Sequence, residues 1–253
     1  MLVRVSFTLE TRLTNNFAKI ITIHMNINSF RYQFLNIEIQ SFKDYINFIE
    51  ENFEKFYDEI KHQFKELEKI YEDDPIKISE ENEESDFDYM MGVISDKNYE
   101  YNIFQQRYRS SVIIQLYIFF ETQLTNIVDD KNDDWNYRET FLENAKRILK
   151  EKIDISKLDE FIFLRDFTEL RNFIVHNNTH LADINKKNIK RINSLRNLNK
   201  RKGFKLKIES FHPNKVYSIE TIEKEFLLYS LEQMKLLLDK IYSEILKTKI
   251  NNI

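Results

Sequence analysis

Cysteine is absent from the 253 residues of this chain, and glycine and proline occur only twice each. No disulfide, thiolate metal site or cysteine nucleophile is therefore available. Strands and tight turns are punctuated by Gly and Pro, so their scarcity, beside 21 Phe and 13 Tyr, points to a mostly helical protein. A strong charge of one sign is also missing. The net charge is −4, so any nucleic-acid surface must be a local patch. No apolar run approaches the ~18–20 residues of a membrane span. The nearest, at 112–120, is short and carries Gln115. The N-terminus lacks the charged, apolar and small-residue zones of a signal peptide. Together with the lack of Cys this fits a reducing cytoplasm, and no membrane association is expected.

Four segments follow in order. In residues 1–27, Val3, Val5, Phe7 and Leu9 alternate with Arg4, Ser6, Thr8 and Glu10, the period of a strand. The alternative is that translation begins at Met25 and the preceding residues are disordered. Residues 28–72 form one long amphipathic helix, with Leu35, Ile39, Phe42, Ile46, Ile49, Phe53, Phe56, Ile60, Phe64 and Leu67 at mostly 4-3 spacing. The Phe-rich seam favours packing on the rest of the protein or on a second subunit over a free coiled coil. Residues 73–100 hold Pro75, Gly92 and the acidic cluster Glu80, Glu81, Glu83, Glu84, Asp86 and Asp88, and read as a solvated linker without chemistry.

Residues 101–250 are the main helical domain. The stretch 103–128 is apolar nearly all round and should be central; it ends with Glu121. An amphipathic helix is expected over 137–150, a small β-hairpin near 204–220 around His212 and Pro213, and a long final helix over 222–247.

The informative stretch is the apolar helix at 158–177. At 100° per residue, Arg165, Glu169, Asn172 and His176 share one polar stripe, while Leu164, Phe167, Leu170, Ile174 and Val175 fill the opposite sector. Arg171 falls among the apolar residues. A guanidinium cannot lose its proton, so burying its base is costly unless a carboxylate or a phosphate meets it. Histidine, the side chain whose charge changes nearest neutral pH, follows one turn later. His176 and His180 are spaced i, i+4, but without an adjacent Glu this is a weak metal signal, and no metal or other cofactor is expected.

The string Glu169-Leu170-Arg171-Asn172-Phe173-Ile174-Val175-His176-Asn177 resembles the R-x4–6-H signature of the HEPN superfamily. The resemblance covers residues 103–248 and rests on this one motif. It implies an all-α, HEPN-like helical bundle that dimerises and, in active members, cleaves RNA without a metal. His176 would then move the proton of an RNA 2′-OH, Arg171 would hold the phosphate, and Asn172 would hydrogen-bond the imidazole or the phosphate. Products would be a 2′,3′-cyclic phosphate and a 5′-hydroxyl, from a cleft shared by two subunits. Glu121 is expected to approach Arg171 and orient it, or else to reach solvent at its helix end; Glu169 is a second supporting carboxylate. A role as a toxin or in anti-phage defence, with tRNA as one candidate target and an antitoxin or regulatory protein as a further partner, follows from the family alone.

After the motif, residues 184–208 contain Lys186, Lys187, Lys190, Arg191, Arg196, Lys200, Arg201, Lys202, Lys205 and Lys207 and no acidic residue. Such a run suits the backbone of a polyanion, and is expected to bind RNA. The alternatives are a non-catalytic module that binds RNA, a nucleotide or a protein, and a purely structural helical protein.

Overall fold

A computed structural model describes residues 27–73, 83–129, 135–136, 138–176, 180–182, 186–211 and 214–250. The strand or unstructured segment expected before residue 27, and the acidic positions Glu80 and Glu81, lie outside the described residues.

The long Phe-rich period does form one helix, α1 (Ile27–Asp73). At 1.5 Å per residue it is about 70 Å long. The next helix, α2 (Glu83–Asp129), has the same length and runs antiparallel to it. Arg31 Nη1 donates to the Asn126 carbonyl at 2.8 Å. The Phe42 and Phe119 rings lie 5.1 Å apart, and those of Phe53 and Tyr101 5.7 Å apart. Early residues of α1 thus meet late residues of α2. The linker expected over 73–100 is corrected here: helix resumes at Glu83, well before the apolar run. Ile94 and Tyr101 bury themselves on the α1 seam, and that contact carries the polar sequence around them as helix. Gly92 sits inside α2, and a Cβ added there would meet nothing within 4 Å, so it marks no turn.

α2 also carries an 18-residue window of mean hydropathy 1.2, long and apolar enough for a membrane span. The sequence pattern did not single this out. Its contacts with α1 and with the later helices show why it is so apolar: it is the shared wall of the bundle.

The body is built on the second half of α2. Helix α3 (Phe141–Leu149) starts later than expected, at a capping box. Thr140 accepts from the Glu143 amide while Glu143 Oε2 accepts from the Thr140 amide at 2.8 Å. A 3-10 turn at Ile155–Lys157 leads into α4 (Asp159–His176), the motif helix. Phe167, Leu170 and Phe173 of α4 are fully buried, whereas Val175, expected in the core sector, is 40% exposed. It lies in the last turn, beyond the reach of the elements that cover the helix centre.

Three strands follow: β1 (His180–Ala182), then helix α5 (Lys186–Leu198), then β2 (Phe204–Phe211) and β3 (Asn214–Ile222). The β2–β3 hairpin matches the alternation at 204–220. The sheet order is β1-β3-β2, all antiparallel, with a register irregularity between Lys205 and Leu206. The short strand β1 was not expected, because three residues give no period to read. Gly203, between α5 and β2, has φ +80°, and a Cβ there would come 2.8 Å from the Phe226 amide nitrogen. Its carbonyl accepts from the Glu223 amide at 2.7 Å. The last helix, α6 (Lys224–Ile250), closes the core with Phe226, Leu227, Leu237 and Leu238 fully buried. Six α-helices and one small sheet make a mostly all-α fold among the described residues.

One joint combines an ion pair between α1 and α2 with hydrogen bonds from α2 to the body. Arg109 donates Nε and Nη2 to the two carboxylate oxygens of Glu50 at 2.8 and 2.6 Å, and Nη1 to the Ile222 carbonyl at 2.8 Å. Gln106 beside it accepts from the Ile222 amide at 3.0 Å. Both charges are buried, so each depends on the other for solvation.

Candidate functional site

Arg171 lies on the side of α4 that faces α2. Its guanidinium carbon is 5.1 Å from the centre of the Tyr117 ring, within range of a cation–π contact. Its Nη1 donates to Asn172 Oδ1 at 3.1 Å, and its Nε is buried with no hydrogen-bond partner among the described residues. The side chain is half-buried. Tyr117 is the residue that sequence reasoning missed. It reads as one more apolar position of α2, and only the crossing of α2 and α4 makes it the floor under Arg171.

The environment of Tyr117 shows what surrounds the site. Burial foremost, and then the Glu121 carboxylate, pushes the phenol up to about 12, against the lowering influence of Arg171 and a hydrogen bond with Thr168. The ring is therefore a neutral platform, and Glu121 and Arg171 both lie near its hydroxyl. The direct Glu121–Arg171 ion pair is not formed among the described residues: their charged atoms do not approach within 4.0 Å. Arg171 instead meets the ring of Tyr117, which lies one turn before Glu121 on α2.

Glu169 is also engaged elsewhere. Its Oε2 accepts from Arg191 Nε at 3.0 Å, and its Oε1 lies 3.9 Å from Lys190 Nζ. Arg191 is buried by this contact, which corrects its assignment to an RNA surface. Asp166, a buried carboxylate on α4, accepts from Asn197 Nδ2 at 3.1 Å. Together these fix α5 across α4, so the basic helix is set beside the motif by carboxylates of the motif helix itself.

His176 is exposed in the last turn of α4 and makes no hydrogen bond or ion pair among the described residues. Of the two roles expected for Asn172, a bond to the imidazole is not formed among the described residues, where its Oδ1 accepts from Arg171 instead. Positions 171 and 176 are about 140° apart round the helix, so a single α4 does not aim both at one point. His180 belongs to β1.

Of the basic run, Lys187, Lys190, Lys200, Arg201, Lys202, Lys205 and Lys207 are exposed, and Lys186 is the first residue of α5. Arg196 stacks over Tyr217 at 5.2 Å and donates to its hydroxyl, and Arg201 lies 5.6 Å from the Tyr229 ring centre. Lys207 is paired with Glu209 at 2.6 Å. Among the described residues no group of three or more His, Asp and Glu is placed to hold a metal ion. No family model, curated protein or solved structure matches this chain.

Proposed function

We propose that the protein is a metal-independent endoribonuclease of the HEPN type, with Arg171 and His176 as its working pair. The observation that carries this reading is the state of Arg171. It is a half-buried permanent cation with a buried, unpartnered Nε, and no carboxylate pairs with it among the described residues. Glu169, the nearest acid on its own helix, is taken by Arg191. A cation held this way is completed by an anion from outside, and a phosphodiester fits a planar guanidinium. The ring of Tyr117 and the Asn172 amide leave the guanidinium little freedom to turn, which favours fixed placement of a phosphate over loose attraction.

In the proposed reaction His176 accepts the proton of an RNA 2′-OH as that oxygen attacks the neighbouring phosphorus. The bond to the 5′-oxygen breaks, that oxygen takes up a proton, and a 2′,3′-cyclic phosphate and a 5′-hydroxyl result. Arg171 stabilises the charge that gathers on the phosphoryl oxygens. The exposed lysines after α4 draw the RNA backbone in, with strong salt dependence. Because Arg171 and His176 of one helix diverge, the cleft is completed by a second copy of the chain. The place of action is the cytoplasm, in a toxin or anti-phage role.

The divergence of these two side chains also supports a second reading, a non-catalytic module in which Arg171 and the lysines only bind RNA. Incubation of bulk tRNA and total RNA with the protein in EDTA, beside Arg171→Ala and His176→Ala, separates the two. Cleavage leaving cyclic phosphates, lost in both variants, is the expected result. Salt-sensitive binding without cleavage would establish the second reading instead.

A further inference from the structure

The distal half of the α1–α2 hairpin is two helices thick, and one of its faces is apolar and open. Phe53, Ile60, Leu67, Ile94 and Tyr101 are buried between the helices. Above them an open groove of about 820 Å³ runs between α1 and α2, floored by Phe53 and Tyr101 and edged by Phe56 and Phe104. On α1, Tyr45, Phe48 and Phe56 lie within about 40° of Asn52, at the groove's centre; on α2, Met90 and Val93 lie within about 40° of Phe104. Phe48 and Phe104 are 64% and 65% exposed. The joint residues Gln106 and Arg109, which meet Ile222, point to the opposite side of α2, so the body leaves this face uncovered.

We propose that this face is the contact between two copies of the chain, which lay their hairpins together as an antiparallel four-helix bundle. Three observations select a second copy as the occupant. The first is size. Tyr45, Phe48, Phe56 and Phe104 together leave roughly 400 Å² of aromatic surface in water. With Met90, Val93 and the charged edge, the patch approaches the roughly 800 Å² per partner of a stable interface. The second is charge. Lys97 and Glu100 both line the groove, one turn of α2 apart. A two-fold axis between them sets each Lys97 against the partner's Glu100, so the edge is complementary to itself. The third is architecture: a two-helix layer with one open apolar face is half of a four-helix bundle, and an identical layer closes it.

The proposal does not depend on ribonuclease activity, and its test reads mass instead. Sedimentation velocity on the full chain, from low to high micromolar concentration, is expected to show self-association with one step running through this face, whether or not the α4 cleft also pairs. Phe48→Glu combined with Phe104→Glu should weaken that step by roughly a hundredfold or more. Tyr99→Glu, at a residue 67% exposed on the other side of α2, should leave it unchanged. Both target positions are already open to water, and circular dichroism will show whether the helices persist. The absence of Cys provides an independent measurement. Asn52→Cys should be joined into covalent dimers by a short bis-maleimide, and Tyr99→Cys should not. A wild-type monomer throughout, a dimer indifferent to the Phe substitutions, or equal cross-linking at both cysteines would overturn the proposal.

Discussion

The hairpin arm and the helical body solve the same problem with different means. In the body, α2, α4 and α6 bring side chains from three directions, and Phe120, Phe167, Phe173 and Phe226 lose all or nearly all contact with water. In the arm only two helices are present, and flat rings replace the missing layer. Tyr101 stacks on Phe56 and Tyr57, meets Phe53 edge-on, and donates its hydroxyl to the Phe53 carbonyl at 2.7 Å. Aromatic rings offer large contact areas with only two rotatable bonds, which suits a thin structure. A two-helix layer thus holds a core only as wide as its rings, and leaves one side open.

Arm and body should therefore not melt as one unit. Phe167→Ala in the body should cost about 3–5 kcal/mol in urea unfolding. Phe53→Ala, 7% exposed in the smaller cluster, should cost less overall. Its effect should appear as faster hydrogen exchange confined to the arm amides. Equal losses with uniform exchange would mean that the two regions share one cooperative core.

The joint between the regions is the next point of attack. Arg109→Ala leaves Glu50 buried without its partner and should also cost about 3–5 kcal/mol. Replacing both, as Glu50→Leu with Arg109→Met, should recover much of that loss. If the double variant is no better than the single one, the hydrogen bond to Ile222 holds the joint and the ion pair does not.

Chemistry, by contrast, is assigned to the body alone. Arg171→Ala should lower RNA cleavage by about 10²–10³-fold, with little change in the unfolding midpoint. A large fall in the midpoint alongside would make Arg171 architectural.

The smallest effect is on alkaline stability. Burial raises the pKa of Tyr117 in the body to about 12 and pushes Tyr108, at the arm's root, and Tyr101 upward as well. Each contributes stability that is complete below the unfolded value near 10 and is lost as pH rises through that value toward the folded one. The slope is at most about 1.4 kcal/mol per pH unit for each group. Thermal melts above pH 10 should therefore be less steep in pH for Tyr117→Phe and for Tyr108→Phe, and identical slopes to wild type would remove the effect.

The parts of this structure that were legible in the sequence are those with a long period. The Phe seam of α1, the apolar α2, the motif helix and the β2–β3 alternation all fell where their spacing placed them. What was not legible depends on a partner distant in the chain. The helix through Glu83 and Asp88 exists because Ile94 and Tyr101 meet α1, and no local signal announces that. At the site, the wheel placed Arg171 correctly on the inner side of α4. It had no means to show that an aromatic ring, rather than the Glu121 carboxylate, would meet the guanidinium. Arg191 illustrates the same limit: a basic residue in a basic run looks like surface until Glu169 is seen across from it.

Gly203 turns the chain from α5 into β2 with its α-carbon against the start of α6. Every amino acid reachable from a glycine codon by one base change carries a Cβ, and every one would strike the Phe226 backbone unless the turn shifts. This position is therefore closed to genetic drift. A library of random point variants, sorted for folded protein, should find Gly203 unchanged while Gly92, with open space around it, varies.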